Sequence, residues 1–131
     1  MNNEEEMLYR ATVLKNQSEQ LENTIQSANE QIKELEELNS TLSLIKNGEK
    51  QVLNPIGKGI YLKANIENDE LFVNVGSNIV VKKTIPEGKK MIEEQTSKLR
   101  KASLEISMQL EQYAMEFQHM LKELNKIKEE Q

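Results

Sequence analysis

Cysteine and tryptophan are both missing from this chain. Without cysteine there can be no disulfide, no thiolate metal site and no cysteine nucleophile. Aromatic residues amount to 4% of the 131 residues and the whole apolar set to 37%. That is poor material for the core of a globular monomer. Positive charge is also short, with 17 Lys and Arg against 22 Asp and Glu and a net charge of −5. Nucleic acid is therefore excluded as the main partner, since phosphate binding needs a basic face. No uninterrupted apolar run approaches the length that crosses a bilayer, so no membrane partner is expected. The opening "MNNEEE" carries neither the basic nor the apolar region of a secretory signal, and a cytoplasmic location is expected.

Catalytic chemistry is equally thin. His119 is the single histidine and sits beside Phe117 and Met120, with no identifiable Ser, Cys or metal-ligand partner. Paired glutamates such as Glu36-Glu37 and Glu93-Glu94 fall on polar helix faces, where solvation explains them. The expectation is a protein that is not an enzyme and uses no cofactor or metal.

What is present is Glu, Lys, Leu and Ile in heptads. Residues 4–46 carry a seam at Met7, Ala11, Leu14, Ser18, Leu21, Ile25, Ala28, Ile32, Leu35, Asn39 and Leu42, spaced by four and three. Lys46 and Gly48 supply a stop signal. Residues 85–131 repeat more strictly. Ile92, Leu99, Ile106, Tyr113, Met120 and Ile127 recur every seven residues, interleaved with Thr96, Ser103, Leu110, Phe117 and Leu124. Thr84 and Glu87 form a capping box, and Pro86 falls in the first turn, where a missing N–H costs nothing.

The two seams match when the chain folds back antiparallel. Leu14 then faces Phe117, Leu21 faces Leu110 and Ile32 faces Leu99, all in one register. Intramolecular pairing is favoured over pairing with other chains, because the segment between the helices returns the chain. Two helices of this length make a rod of roughly 60–65 Å.

Between the helices, residues 51–83 switch to period two. Val52 lies in a short strand at 51–53, ahead of Pro55. Ile60, Leu62, Ala64 and Ile66 then alternate with polar or aromatic neighbours, and Leu71, Val73 and Val75 do the same. "ENDE" at 67–70 and Gly76-Ser77-Asn78 are turn chemistry, and Ile79-Val80-Val81 forms a last strand. Four strands in two hairpins are predicted. Gly57-Lys58-Gly59 invites a phosphate-loop reading, but no helix follows it and no Ser or Thr follows the lysine. It is read as a tight bend between strands. The fold class is α+β: a long antiparallel two-helix coiled coil with two β-hairpins at the helix-connecting end, in a single domain.

Several apolar residues lie off the seam near the open end of the rod. Leu8, Tyr9 and Val13 accompany Met7 and Ala11, while Met115 and Leu121 accompany Phe117, Met120 and Leu124. They either thicken the seam or seat a neighbouring rod, or they form an adaptable apolar tip. The residues alone hold both readings open.

Two motifs carry a resemblance. "VLNPIGKGIYLKANI" resembles the first hairpin of prefoldin α-class subunits, with its Pro-x-Gly-x-Gly bend, and "LFVNVGSNIVVKK" resembles the second, with its Val-x-Val-Gly turn. The order of helix, two hairpins and helix extends the likeness along the chain. Asn78 departs from it, standing where the family commonly has a second glycine, but Asn tolerates the left-handed conformation. The resemblance implies an ATP-independent co-chaperone subunit, assembled with β-class subunits into a hetero-hexamer. Such a subunit holds unfolded client proteins at its tips and delivers them to a group II chaperonin. It assigns capture to Met7, Leu8, Tyr9, Val13, Met115, Phe117, Met120, Leu121 and Leu124. Assembly falls to the hairpins, through Val52, Ile60, Leu62, Leu71, Val73, Val75, Ile79 and Val81. Two other functions fit the same pattern: a filament-forming structural relative, and a coiled-coil adaptor for one specific partner.

Overall fold

A computed structural model describes every residue except Met1, Glu49 and Gln131. Helix α1 spans Asn3–Lys46, strands β1 Gln51–Gly57, β2 Ile60–Asn65, β3 Leu71–Asn74 and β4 Val80–Lys83 follow, and helix α2 spans Ile85–Glu130. The long helices and paired hairpins are those expected from the heptads and the period-two segment. The predicted last helical residue, Gln131, lies outside the described residues.

The helix ends are closed by the side chains the sequence offers. Asn2 Oδ1 accepts the Glu5 N–H at 2.8 Å at the start of α1. At its end the Gly48 N–H reaches the Ile45 carbonyl, with Gly48 at φ +105°. The capping box of α2 is reciprocal. Thr84 Oγ1 accepts the Glu87 N–H and Glu87 Oε1 accepts the Thr84 N–H, both at 3.2 Å.

The strands form two separate antiparallel pairs, β1 with β2 and β3 with β4. β1 runs four residues beyond the predicted 51–53 and through Pro55, which pairs with Tyr61. The register breaks between Pro55 and Gly57, so the proline sits on an edge strand next to an irregularity, where its missing donor is tolerated. Lys58 and Gly59 make the two-residue turn at φ +49° and +79°. In the second hairpin Ser77 and Asn78 sit at φ +51° and +61°, closed by the Ile79 N–H to the Gly76 carbonyl at 2.9 Å. Positive φ at both central residues is the type I′ requirement, and it matches strand twist. Asn78 therefore does adopt the left-handed conformation. Asn74 Oδ1 steadies the entry to this turn by accepting the Gly76 N–H.

The chain resolves into two compact units. The terminal unit comprises Met1–Ile32 with Lys98–Gln131, and the hairpin unit comprises Lys33–Ser97. In the hairpin unit Leu42, Ile85 and Ile92 are buried together, with Leu35, Ile45 and Leu71 packed against them. Leu71 comes so close to α2 that a Cβ on Gly88 would meet its Cδ1 at 2.5 Å. Gly88 is what lets β3 seat on the helix. Lys89 Nζ also donates to Ser43 Oγ across the two helices. In the terminal unit the seam buries Leu14, Ala28, Met120 and Leu124. Ser18, Leu110, Tyr113 and Phe117 line one open groove there, as the predicted antiparallel register requires.

Candidate functional site

A heptad seam buries only two positions in seven, and a pair of helices has no third element to cover the rest. Large apolar side chains elsewhere on the helices must therefore meet water or a partner. In the terminal unit Leu8, Tyr9, Met115 and Leu121 are exposed, Tyr9 by 63% and Met115 by 72%. Met7, Val13 and Phe117 are half-buried, whereas Met120 and Leu124 are buried in the seam. The nine residues assigned to capture thus divide into an exposed set of four, the half-buried off-seam Val13, and four seam residues that support them. Leu104 and Met108, which that assignment omitted, are exposed too. Their signal was available: both stand at outward heptad positions, where a soluble coiled coil usually carries charge.

Ser18 occupies a seam position with a side chain too small to fill it. An open groove of about 510 Å³ lies beside it, floored by Leu110, Tyr113, Ala114 and Phe117 and edged by Lys15, Glu22 and Glu111. Apolar contact with a charged rim is what this surface offers.

The hairpins present a second apolar surface. On β1 and β2, Leu53, Ile56, Ile60, Tyr61 and Leu62 are all exposed, on both faces of the ribbon. On the second hairpin the faces differ. Leu71, Val73, Val81 and Lys83 are half-buried on one side, while Phe72, Val80 and Lys82 are exposed on the other. Of the residues assigned to assembly, Ile60, Leu62, Val75 and Ile79 are exposed. Val52, Leu71, Val73 and Val81 are half-buried, and Leu71 packs into the chain's own core. Phe72 and Val80 here, and Leu53, Ile56 and Tyr61 on the first hairpin, are outward residues that the sequence reading left out. Alternation alone cannot say which face of a strand meets its own helices when both faces are apolar. Lys82 Nζ stands 5.9 Å from the Phe72 ring and 3.9 Å from Glu70 Oε2, giving the outward face a charged edge.

A further groove of about 370 Å³ joins hairpin and helices, lined by Leu38, Leu42, Phe72, Val73 and Met91 among others. The Glu87 carboxyl is held below the usual carboxylate range, first by the Thr84 backbone N–H, then by the Thr84 hydroxyl and by Lys83. Among the described residues no three His, Asp or Glu side chains gather into a metal-ligand set. No helix of the described residues is long and apolar enough to cross a membrane. What both surfaces offer is exposed apolar area with charged edges.

Comparison with known proteins agrees with the geometry. The prefoldin subunit alpha of Thermofilum pendens is 33% identical over 91 residues, covering 67% of this chain and 70% of that protein. The prefoldin subunit alpha of Methanosphaera stadtmanae is 27% identical over 90 residues, 68% of this chain and 65% of that protein. For prefoldin subunit alpha 2 of Thermococcus kodakarensis the match covers 58% of the relative's length at 29% identity. Among solved structures, the cryo-EM structure of filamentous PFD from Methanocaldococcus jannaschii superposes with a TM-score of 0.76. The match covers 88% of this chain and 98% of that one, at 24% sequence identity, and shows a shared fold. The family model for prefoldin subunits matches residues 14–130, nearly the whole chain, and with the two heptad helices and the paired hairpins it establishes that this chain belongs to the prefoldin family.

Proposed function

We propose that this chain is a subunit of an ATP-independent holding chaperone, in which the hairpins join it to other subunits and the terminal unit binds unfolded polypeptide. One observation carries the reading: Leu8, Tyr9, Met115 and Leu121 are exposed in the terminal unit, while Leu14, Met120 and Leu124 of the seam are buried. A binding surface for unfolded chains needs apolar area that is accessible without opening the fold, and side chains that adapt to many partners. Each such contact contributes at most about 1.5–3 kcal/mol, so capture rests on several together. In this reading β-class prefoldin subunits complete a hetero-hexamer, unfolded proteins are the clients and a group II chaperonin receives them. The cytoplasm is where the protein works, and neither nucleic acid nor a membrane takes part. The whole chain acts as one prefoldin-like domain.

The test is a variant carrying Leu8→Ser, Tyr9→Ser, Met115→Ser and Leu121→Ser. Its assembled mass and helical signal should match the wild type, while its suppression of aggregation of a denatured protein is lost. ATP should change neither protein. Full suppression by the variant would remove the terminal unit from the mechanism.

A second reading is favoured by the exposed hairpins and by the filamentous state of the M. jannaschii neighbour. In it the hairpins alone build a filament with a structural role. Electron microscopy of the isolated chain distinguishes the two, since only this reading expects long ordered filaments without a second subunit. An adaptor for one specific partner would instead suppress the aggregation of no unrelated protein.

A further inference from the structure

Among the methionines of α2, Met108 and Met115 are the most exposed and Met120 the least, and the difference follows the helix face. Met115 is 72% exposed and Met108 57%, whereas Met120, five residues further along the same helix, is 8% exposed in the seam. Met108 and Met115 are one heptad apart, and Leu104 precedes Met108 by four residues, so the three form one outward stripe on the terminal unit's part of α2. An outward stripe of this kind adds nothing to helix pairing. The chain has no cysteine, so no thiol stands to be oxidised ahead of these thioethers.

From this sorting we propose that Met108 and Met115 are sites of reversible oxidation by hydroperoxides, and that their oxidation lowers the chain's capacity to hold unfolded polypeptide. The proposal rests on the capture reading above. In the reaction a sulfur lone pair attacks the terminal oxygen of the peroxide. The O–O bond breaks, an S–O bond forms, and the departing oxygen takes the proton of the transferred hydroxyl, leaving as water from hydrogen peroxide or as an alcohol from an organic hydroperoxide. The sulfur loses two electrons in becoming a sulfoxide, and the peroxide gains them. A sulfoxide is polar where the thioether was apolar, so the stripe loses affinity for apolar segments while the seam, with Met120 inside it, keeps the helices paired. Methionine sulfoxide reductases reverse the change, which makes it a switch rather than damage.

The experiment treats the full chain, assembled as isolated, with hydrogen peroxide and follows each methionine by peptide mass mapping. Met108 and Met115 should gain oxygen several-fold faster than Met120, with the helical circular dichroism unchanged. The protein concentration that halves aggregation of a denatured substrate should rise about fivefold, and treatment with both classes of sulfoxide reductase should restore it. A Met108→Leu/Met115→Leu variant, matched in size and helix propensity, should show the same capture after peroxide as before it, whatever its starting level. The proposal is overturned if Met120 oxidises as fast as Met115, if oxidised wild type captures undiminished, or if the leucine variant loses capture as the wild type does. The fourfold serine variant separates the two ideas. If it loses capture while oxidised wild type does not, the switch falls and the capture surface stands. If it captures fully, the capture surface itself falls.

Discussion

Gly88 shows how much one missing side chain can decide. It lies in the first turns of α2, where Leu71 from β3 occupies the space a Cβ would take. Alanine there gains about 0.8–1 kcal/mol of helix propensity but forces Leu71 out of the core, and overpacking of this kind costs about 1–3 kcal/mol. The expected balance is a net loss, so Gly88→Ala should lower the thermal midpoint, and pairing it with Leu71→Ala should recover part of the loss. Equal midpoints for Gly88→Ala and the wild type would mean the hairpin is not seated there. Glu87 makes a second, pH-dependent prediction. Its carboxyl is lowered in the folded chain, first by the Thr84 N–H. A depressed carboxylate contributes stability that is fully present above its unfolded value and is lost as pH falls through the folded one. Glu87→Ala should therefore be less stable than the wild type at neutral pH. The two melting temperatures should converge in acid, below the ordinary carboxylate range.

Along the helices, stability should follow the seam. Leu42 is 5% exposed and belongs to the core cluster, while Leu44, two residues on, is 60% exposed. Leu42→Ala should cost about 2–5 kcal/mol, and Leu44→Ala should fall within about 0.5 kcal/mol of the wild type, both read from thermal or urea unfolding. Asn39 tests the same seam from the other side. Its Oδ1 is buried without a hydrogen-bond partner among the described residues, and such a group costs about 1–3 kcal/mol. Asn39→Leu should raise the thermal midpoint. A polar residue at a seam position is also how coiled coils hold one register, so the gain should come with a looser choice of helix partner, visible as added self-association.

At the scale of the whole molecule, the two hairpins are too small to be stable surfaces by themselves. A two-stranded ribbon is marginal in water, and those here expose Leu53, Ile60, Tyr61, Leu62, Phe72 and Val80 together with unpaired strand edges. Partner strands that cover both faces and edges resolve that problem. The chain alone is therefore expected to self-associate. Changing Leu62 and Phe72 to Lys should lower its mass in light scattering while leaving the helical signal intact. A monodisperse wild-type monomer would contradict this. Because the variants that abolish assembly and those that abolish capture fall in different units, each loss should occur without the other.

Periodicity alone determined the helices, their antiparallel register and the two hairpins, because a seven-residue seam and a two-residue alternation each leave only one face to bury. Gly57 and Gly59 at the first turn, and Gly76 and Asn78 at the second, made both turns legible in the same way, since few residues accept positive φ. Chain-local pattern could not decide which apolar residues remain open. Val73 and Phe72 are neighbours of similar character, yet β3 leaves Val73 half-buried and Phe72 exposed. The heptad did place Met120 on the seam and Met115 off it, and the packing of α1 against α2 buries the one and exposes the other. Burial depends on what a distant segment brings to the surface, and that is a property of the folded molecule.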